Sequence, residues 1–233
     1  LPYNDDIAIF GRATIMETAS RRSVETSMYK DFRSARFEAG LRLGDDESLD
    51  KIHPRGKGAL FFAYGRGQSA YLRGSAVDDG EVLTNYGYNR LHFSGEYWAP
   101  FAGRGHAVQM SLVGGYIDKN VYYAEELRAG GRHPYALYLG ELESTVAFAG
   151  YPAHSLSGEN LVVASAMWRF PLAPAIRRKV GPLYFSSIYA GLGGGVGNVW
   201  PRPESQVMAD ASAEVRLSTE FMGDDWDSVV RFA

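Results

Sequence analysis

Hydrophobicity in this chain alternates with a period of two, over segments long enough to decide what the chain can fold into. From Arg33 to Leu43 the odd positions carry Ala35, Phe37, Ala39, Leu41 and Leu43, and the even positions carry Ser34, Arg36, Glu38, Gly40 and Arg42. Successive side chains on a strand point to opposite faces, so this segment has one apolar and one polar face. From Arg90 to Phe101, Leu91, Phe93, Gly95, Tyr97, Ala99 and Phe101 oppose Arg90, His92, Ser94, Glu96 and Trp98. From Ala211 to Phe221, Ala211, Ala213, Val215, Leu217, Thr219 and Phe221 oppose Ser212, Glu214, Arg216, Ser218 and Glu220. A helix would scatter these charges around its surface.

Further segments fit the same period: Ile7–Thr18, Ser23–Lys30, Gly58–Tyr64, Ser69–Val77, Ala107–Ile117, Leu137–Phe148, Asn160–Leu172, Tyr184–Val196 and Asp227–Phe232. Turn chemistry separates them at Ser20-Arg21-Arg22, Gly65-Arg66-Gly67, Asp78-Asp79-Gly80 and Gly103-Arg104-Gly105. Soluble strands run about 5–6 residues, whereas a tilted membrane-crossing strand needs ~9–11. The segment lengths therefore predict an all-β, antiparallel, up-and-down transmembrane β-barrel of about twelve strands. Thin apolar faces of Ala, Gly, Val and Leu point the same way. So do aromatics near strand ends: Tyr97, Trp98, Phe101, Tyr122, Tyr123, Trp168, Phe170, Tyr184, Phe185 and Trp200. Residues 1–233 read as a single barrel domain, with 45–57, 118–134 and 151–159 as loops gathered at one end. Leu1 is no initiator, so the chain is expected to be a processed or trimmed piece of something longer, and Phe232 stands penultimate to Ala233 where barrels commonly finish on an aromatic.

Composition removes several alternatives. A net charge of −3 gives no electrostatic footprint for nucleic acid, and zero Cys excludes a disulfide scaffold, a thiolate metal site and a Cys nucleophile. No apolar run approaches the ~20 residues of a membrane-spanning helix.

From Leu139 onward a series of blocks occurs in order: Leu139-Gly140-Glu141, Phe148-Ala149-Gly150-Tyr151-Pro152, Leu156-Ser157-Gly158-Glu159-Asn160, Met167-Trp168-Arg169-Phe170-Pro171-Leu172, Tyr189-Ala190-Gly191, and Gly197-Asn198-Val199-Trp200. This series resembles the C-terminal β-barrel of the bacterial surface antigen superfamily, which includes outer-membrane assembly factors, two-partner-secretion transporters and patatin-linked barrels. Asn89 to Ile117 looks like the preceding hairpin of its propeller-linked members. The resemblance implies a bacterial outer-membrane location and a loop carrying the Gly-Tyr block folded into the lumen. In the superfamily an Arg of that loop pairs with an Asp on the strand ending in Gly-Asn-Val-Trp. Carried over by position, the Arg falls on Ala149 and the Asp on Gly195, so the lumen-loop motif of Ala149, Gly150, Tyr151 and Gly195 keeps the Gly-Tyr block but lacks both members of the ion pair. Losing both partners of a buried pair is chemically coherent, because losing one alone strands a charge. The loop is then expected to be held by Tyr151 and backbone contacts, and the case for a protein-inserting machine weakens.

With polar faces turned inward, the expected lumen set is Arg36, Glu38, Arg42, Arg90, Glu96, Arg169, Glu214, Arg216, Glu220 and Arg231, facing away from lipid-side Phe37, Leu41, Leu91, Phe93, Val215 and Leu217. Both signs are mixed rather than ringed, which suits a plugged interior better than a selective pore. No Gly-x-Ser-x-Gly, His-Glu-x-x-His, phosphate loop or Gly-x-Gly-x-x-Gly is present, His53, His92, His106, His133 and His154 are dispersed, and Asp78-Asp79 and Asp224-Asp225 read as solvated turns. The expected function is a structural anchor or subunit of an envelope complex, not an enzyme, with no cofactor or metal. Its expected partners are the lipid bilayer and other envelope subunits or an upstream soluble domain, without nucleic acid. The alternative is an outer-membrane transporter or translocase for protein, lipid or solute. A weaker third reading makes the barrel the anchor of an absent catalytic domain.

Overall fold

The computed structural model describes residues 7–18, 32–44, 58–71, 86–100, 105–119, 126–130, 145–148, 150–152, 155–200, 207–221 and 224–232. The described residues form strands and no helix: β1 (Ile7–Thr18), β2 (Phe32–Gly44), β3 (Gly58–Tyr71), β4 (Tyr86–Pro100), β5 (Ala107–Ile117), β6 (Leu127–Gly130), β7 (Thr145–Ala147), β8 (Leu156–Gly158), β9 (Asn160–Ala173), β10 (Arg178–Val180), β11 (Leu183–Trp200), β12 (Met208–Phe221) and β13 (Asp224–Phe232). The large sheet follows chain order, β1-β2-β3-β4-β5-β9-β11-β12-β13, with short β10 added to β11. Every pairing along this path is antiparallel. Among the described residues β1 pairs only with β2 and β13 only with β12, so no closed ring is formed there.

The period-two pattern acts as a register device, since a slip of one residue would exchange the two faces. Glu38, Arg90, Arg169 and Glu214 are at most 7% exposed, whereas Phe37, Leu60, Phe62 and Leu192 on the opposite face are more than half exposed. We call the buried polar face inner and the exposed apolar face outer. The sheet curls around the inner face, because Phe10 of β1 and Val113 of β5 line one cavity although three strands lie between them.

Several sequence expectations are corrected. Gly65-Arg66-Gly67 is no turn but the middle of β3. Gly65 pairs with Glu38, and Gly67 lies under the Tyr88 ring, where an added Cβ would come within 2.2 Å of Cζ. These glycines make room for large neighbours inside the strand. Among the described residues nine strands, against the expected twelve or so, lie on the main path. The expected loops 118–134 and 151–159 contain β6 and β8, and of the expected strand Leu137–Phe148 the described part, 145–148, holds β7. Together these form a separate sheet of order β7-β6-β8. The strand expected at Ser23–Lys30 lies outside the described residues.

The three long irregular stretches do not share an end. Connections 19–31, 72–85, 118–159 and 201–207 emerge at one end, called here the loop end, while 45–57, 101–106, 174–182 and 222–223 emerge at the opposite, turn end. The small sheet packs on the inner face at the loop end. Leu127, Ala129 and Phe148 join Tyr88, Ile117, Leu161, Val163, Val199 and Met208 in one buried cluster. Fully burying a Leu or Phe side chain contributes about 1.5–3 kcal/mol, so this contact fixes the cap in place. Gly130, at φ +142°, closes the cap beneath the Pro152 carbonyl and donates no side chain to the crowding there.

Because the Tyr88 ring fills the space above Gly67, Gly67→Ala is expected to destabilise the fold by ~1–3 kcal/mol. Gly11→Ala, whose added carbon meets nothing nearer than 3.8 Å, is expected to change it by less than ~0.5 kcal/mol. Denaturant unfolding of the two variants beside the parent checks the contrast.

Candidate functional site

The inner face carries its charges in rows that cross three strands with glycine in the middle. Arg169 on β9 pairs with Gly191 on β11, and Gly191 pairs with Glu214 on β12. Two strand spacings put the outer backbones about 9.6 Å apart, and the side chains meet above the bare glycine. The Arg169 Nε–H donates to Glu214 Oε1 at 2.7 Å. A Cβ on Gly191 would stand 2.8 Å from Glu214 Cγ. Glu38 on β2, Gly65 on β3 and Arg90 on β4 repeat the arrangement in register, and Arg12 on β1 extends that row opposite Glu38.

The network around Glu214 is enclosed. Arg216 Nε also donates to Glu214 Oε1, at 2.8 Å, while the Glu214 and Arg169 side chains are 0% and 2% exposed. The Arg169 guanidinium sits 4.3 Å from the centroid of Trp98, a residue with no exposed surface. A cation over a desolvated indole face is stabilised by the ring quadrupole. Gln109 hydrogen-bonds Glu96 beside this cluster. On the β2 side, Arg36 Nε lies 3.2 Å from Glu38 Oε1. Chemically the arrangement neutralises and rigidifies. It supplies no nucleophile with an attached base, and among the described residues no group of three metal-ligating side chains gathers.

The expected lumen residues are thus placed as follows. Arg36, Glu38, Arg42, Arg90, Glu96, Arg169, Glu214 and Arg216 share the inner face, but as two clusters, one on β1–β4 and one on β4–β12. Glu220 and Arg231 are placed by backbone register alone, opposite Tyr184 and Glu214. Trp98, expected in an interfacial girdle, instead belongs wholly to the inner network. Ala149 lies outside the described residues. Gly150 is exposed with φ +78°, and Tyr151 reaches β12, where its hydroxyl donates to the Ala209 carbonyl at 3.2 Å and accepts from the Ala209 N–H at 3.3 Å. The Tyr151 ring also meets Phe148 edge-on at 5.7 Å. Gly195 faces Asp210 across the β11/β12 pair, and a Cβ there would come 3.1 Å from Asp210 Oδ1.

Sequence reasoning missed three inner residues. Arg12 and Asp210 extend the alternation of β1 and β12 toward their ends, a signal present at Phe10, Arg12 and Thr14 and at Met208 and Asp210. Arg128, buried on β6, had no usable signal because its strand is so short.

Two cavities occupy the inner face beside the β1–β4 cluster. One of about 440 Å³ is lined by Phe10, Arg12, Arg42, Phe61, Glu96 and Ser111, and a second of about 220 Å³ adds Arg36, Glu38, Arg90 and His92. Phe10 and Phe61 stack between them at 5.2 Å. Near the loop end, Asp118 clamps β4 to β5: its carboxylate accepts from the Asn89 backbone N–H at 2.7 Å and from Asn89 Nδ2 at 2.6 Å. The backbone N–H bond in particular holds the Asp118 carboxyl below its ordinary pKa. A scan against protein-family models finds no match to the chain, and neither does a search of curated proteins.

Glu214→Leu leaves Arg169 and Arg216 without their shared carboxylate and is expected to cost ~3–5 kcal/mol. The double change Arg169→Met with Glu214→Leu should fall short of the sum of the single effects by ~0.5–3 kcal/mol, read in a double-mutant cycle. Because the Asp118 pKa is lowered by folding, its contribution is present above the ordinary carboxylate range and is lost as pH falls through the depressed value. Asp118→Asn should therefore lower stability at neutral pH, with parent and variant converging only once pH falls below that range, as followed by unfolding at a series of pH values.

Proposed function

We propose that the chain is a β-barrel of the bacterial outer membrane that serves as a structural anchor or subunit of an envelope complex. The observation that carries this reading is the inverted sheet: charges are buried and paired within, while the opposite face exposes large apolar side chains on strand after strand. Ile9, Phe37, Leu60, Phe62, Leu112, Val162, Leu192 and Val196 are all exposed on it. Water would penalise such a surface, and hydrocarbon would not. Aromatics bracket it. Tyr116 and Trp200 flank Asn160 at the loop end of β9, and Trp168 stands eight residues further along, stacked with His106 and tilted against Phe170. Eight residues span about 26 Å along a strand, or about 20 Å in height at a tilt of ~40°, close to the ~25 Å apolar band of outer-membrane barrels. The placement of most long connections at one end fits the same family of folds.

Within that reading, the anchor role is supported by how the inner face is filled. An enclosed Arg169–Glu214–Arg216 network with Trp98 beneath it, and an apolar cap on Tyr88, Leu161 and Val199, occupy space that a conducting pore would leave to water. The transporter reading draws on the cavity of about 440 Å³ between β1 and β5. Purification from native membranes in mild detergent separates the two: stable co-purifying subunits without conductance in planar bilayers are expected, and a lone conducting monomer would reverse the choice.

Leu112 lies four residues from Tyr116 and four from Val108, which pairs with Trp168, so it sits midway across the apolar band. Leu112→Arg is expected to cost ~2–4 kcal/mol in a lipid bilayer. Unchanged unfolding in lipid vesicles would refute lipid contact at this face.

A further inference from the structure

The inner face of β1 to β5 carries charges as β9 to β12 do, but it holds them around open space. At Glu214 the two arginines and the carboxylate close on one another with Trp98 beneath, and the Arg169 and Glu214 side chains are sealed from solvent. Phe10, Arg12, Arg42 and Phe61 are instead half-buried, and together they line the cavity of about 440 Å³. That volume lies within the ~300–1,000 Å³ range of small-molecule sites, which combine mostly apolar walls with a few placed polar groups.

Strand register shows how the cavity is built. Phe10 on β1 pairs with Gly40 on β2, and a Cβ on Gly40 would come 2.5 Å from Phe10 Cζ. The Phe10 ring therefore lies over the bare glycine and reaches Phe61 on β3, where the two rings stack 15° from parallel. A glycine in the middle strand, which brings Arg169 to Glu214 elsewhere, here brings two phenyl rings together. Arginine stands on both sides of the stack: Arg12 is the next inner residue of β1 after Phe10, and Arg42 on β2 pairs with Phe61 itself. Ala8, Ala59 and Val113 complete the apolar wall. On the β4 side Glu96 is engaged by Gln109.

Half-buried rings leave apolar surface in contact with water, which a ligand's apolar body would relieve. A guanidinium carries five N–H donors in a planar fork, so one that bonds a carboxylate through Nε, as Arg36 does with Glu38, can still hold a second anion. Both needs are met by one kind of molecule. We propose that the larger cavity is a binding site for a small organic anion, its carboxylate or phosphate group held by Arg12 and Arg42 and its apolar body laid against the Phe10–Phe61 stack. Glu96 repels a second anionic group on the β4 side and so fixes which way round the ligand lies. The site belongs to the inner face alone. It goes beyond the anchor reading and stands whatever solvent meets the outer face.

Calorimetric titration of the full chain in a non-ionic maltoside, corrected by the same titration into detergent alone, tests this with 3-phenylpropionate, phenethylamine, phenylalanine and inorganic phosphate. The expected result is saturable binding of 3-phenylpropionate, tighter than that of each other probe by ~10-fold or more. Arg42→Gln should weaken it by a similar factor. Ala8→Phe, which fills the cavity and keeps every charge, should abolish it, whereas Gly11→Ala on the outer face should bind as the parent does. Thermal unfolding reports whether each variant is folded, and where one is not, the ranking of the four probes on the parent decides. No saturable binding of 3-phenylpropionate would overturn the proposal, as a cavity that holds only water. Equal or tighter binding of phenethylamine, phenylalanine or phosphate, or unchanged affinity in folded Arg42→Gln or Ala8→Phe protein, would overturn it as well.

Discussion

The buried ion pair of Arg169 and Glu214 across Gly191 is the interaction around which the sheet is arranged. Two charges removed from water are tolerable only when each satisfies the other at close range. Here the partners lie on strands that do not touch, so the strand between must present no side chain. Gly191 meets that demand, and its placement fixes the registers of β9, β11 and β12 together, because a slip in either pairing would put a side chain into the bond or move a charge to the apolar face. The Glu38–Gly65–Arg90 row imposes the same condition on β2, β3 and β4. A sheet whose outer face is largely apolar has little to distinguish one register from the next two residues on. The inner charges supply that distinction.

The inner face is also divided along the strand direction. Toward the loop end its side chains are Tyr88, Ile117, Leu161, Val199 and Met208, and these receive the cap. Further along come Arg90, Trp98, Arg169 and Glu214. The same alternation thus yields an apolar seat at one level and a charged network at another, and the small sheet of β6, β7 and β8 packs on the apolar seat. Tyr151 secures the cap's far side through main-chain hydrogen bonds to Ala209, which need no charge at position 149 or 195.

Much of this was legible in the sequence, and the parts that were not share a cause. The faces of Arg33–Leu43, Arg90–Phe101 and Ala211–Phe221 follow from alternation alone, and the structure puts Glu38, Arg90 and Glu214 on the buried side as a set. Gly65-Arg66-Gly67 misled because glycine punctuates turns in isolation, while in a three-strand row it makes room for a neighbour's side chain. That role depends on Glu38 and Tyr88, which local reading cannot bring together. Trp98 has the composition of an interfacial aromatic, and only its parity on β4 and the guanidinium above it reveal an inner residue. The cap strands are too short for any period to emerge. They are strands because the inner face gives them something to pack on, a tertiary cause invisible to a window of neighbours.

Rigidity is distributed unevenly across the sheet. On β9, β11 and β12 the inner space is filled by paired charges, an indole and the cap. On β1 to β4 it holds the cavities and the Phe10–Phe61 stack. The loosely filled half is therefore the half that ends in β1, which among the described residues pairs only with β2. A sheet can change its curvature most cheaply where few side chains must repack, so β1 to β4 can adjust to a neighbour while β9 to β12 hold the shape.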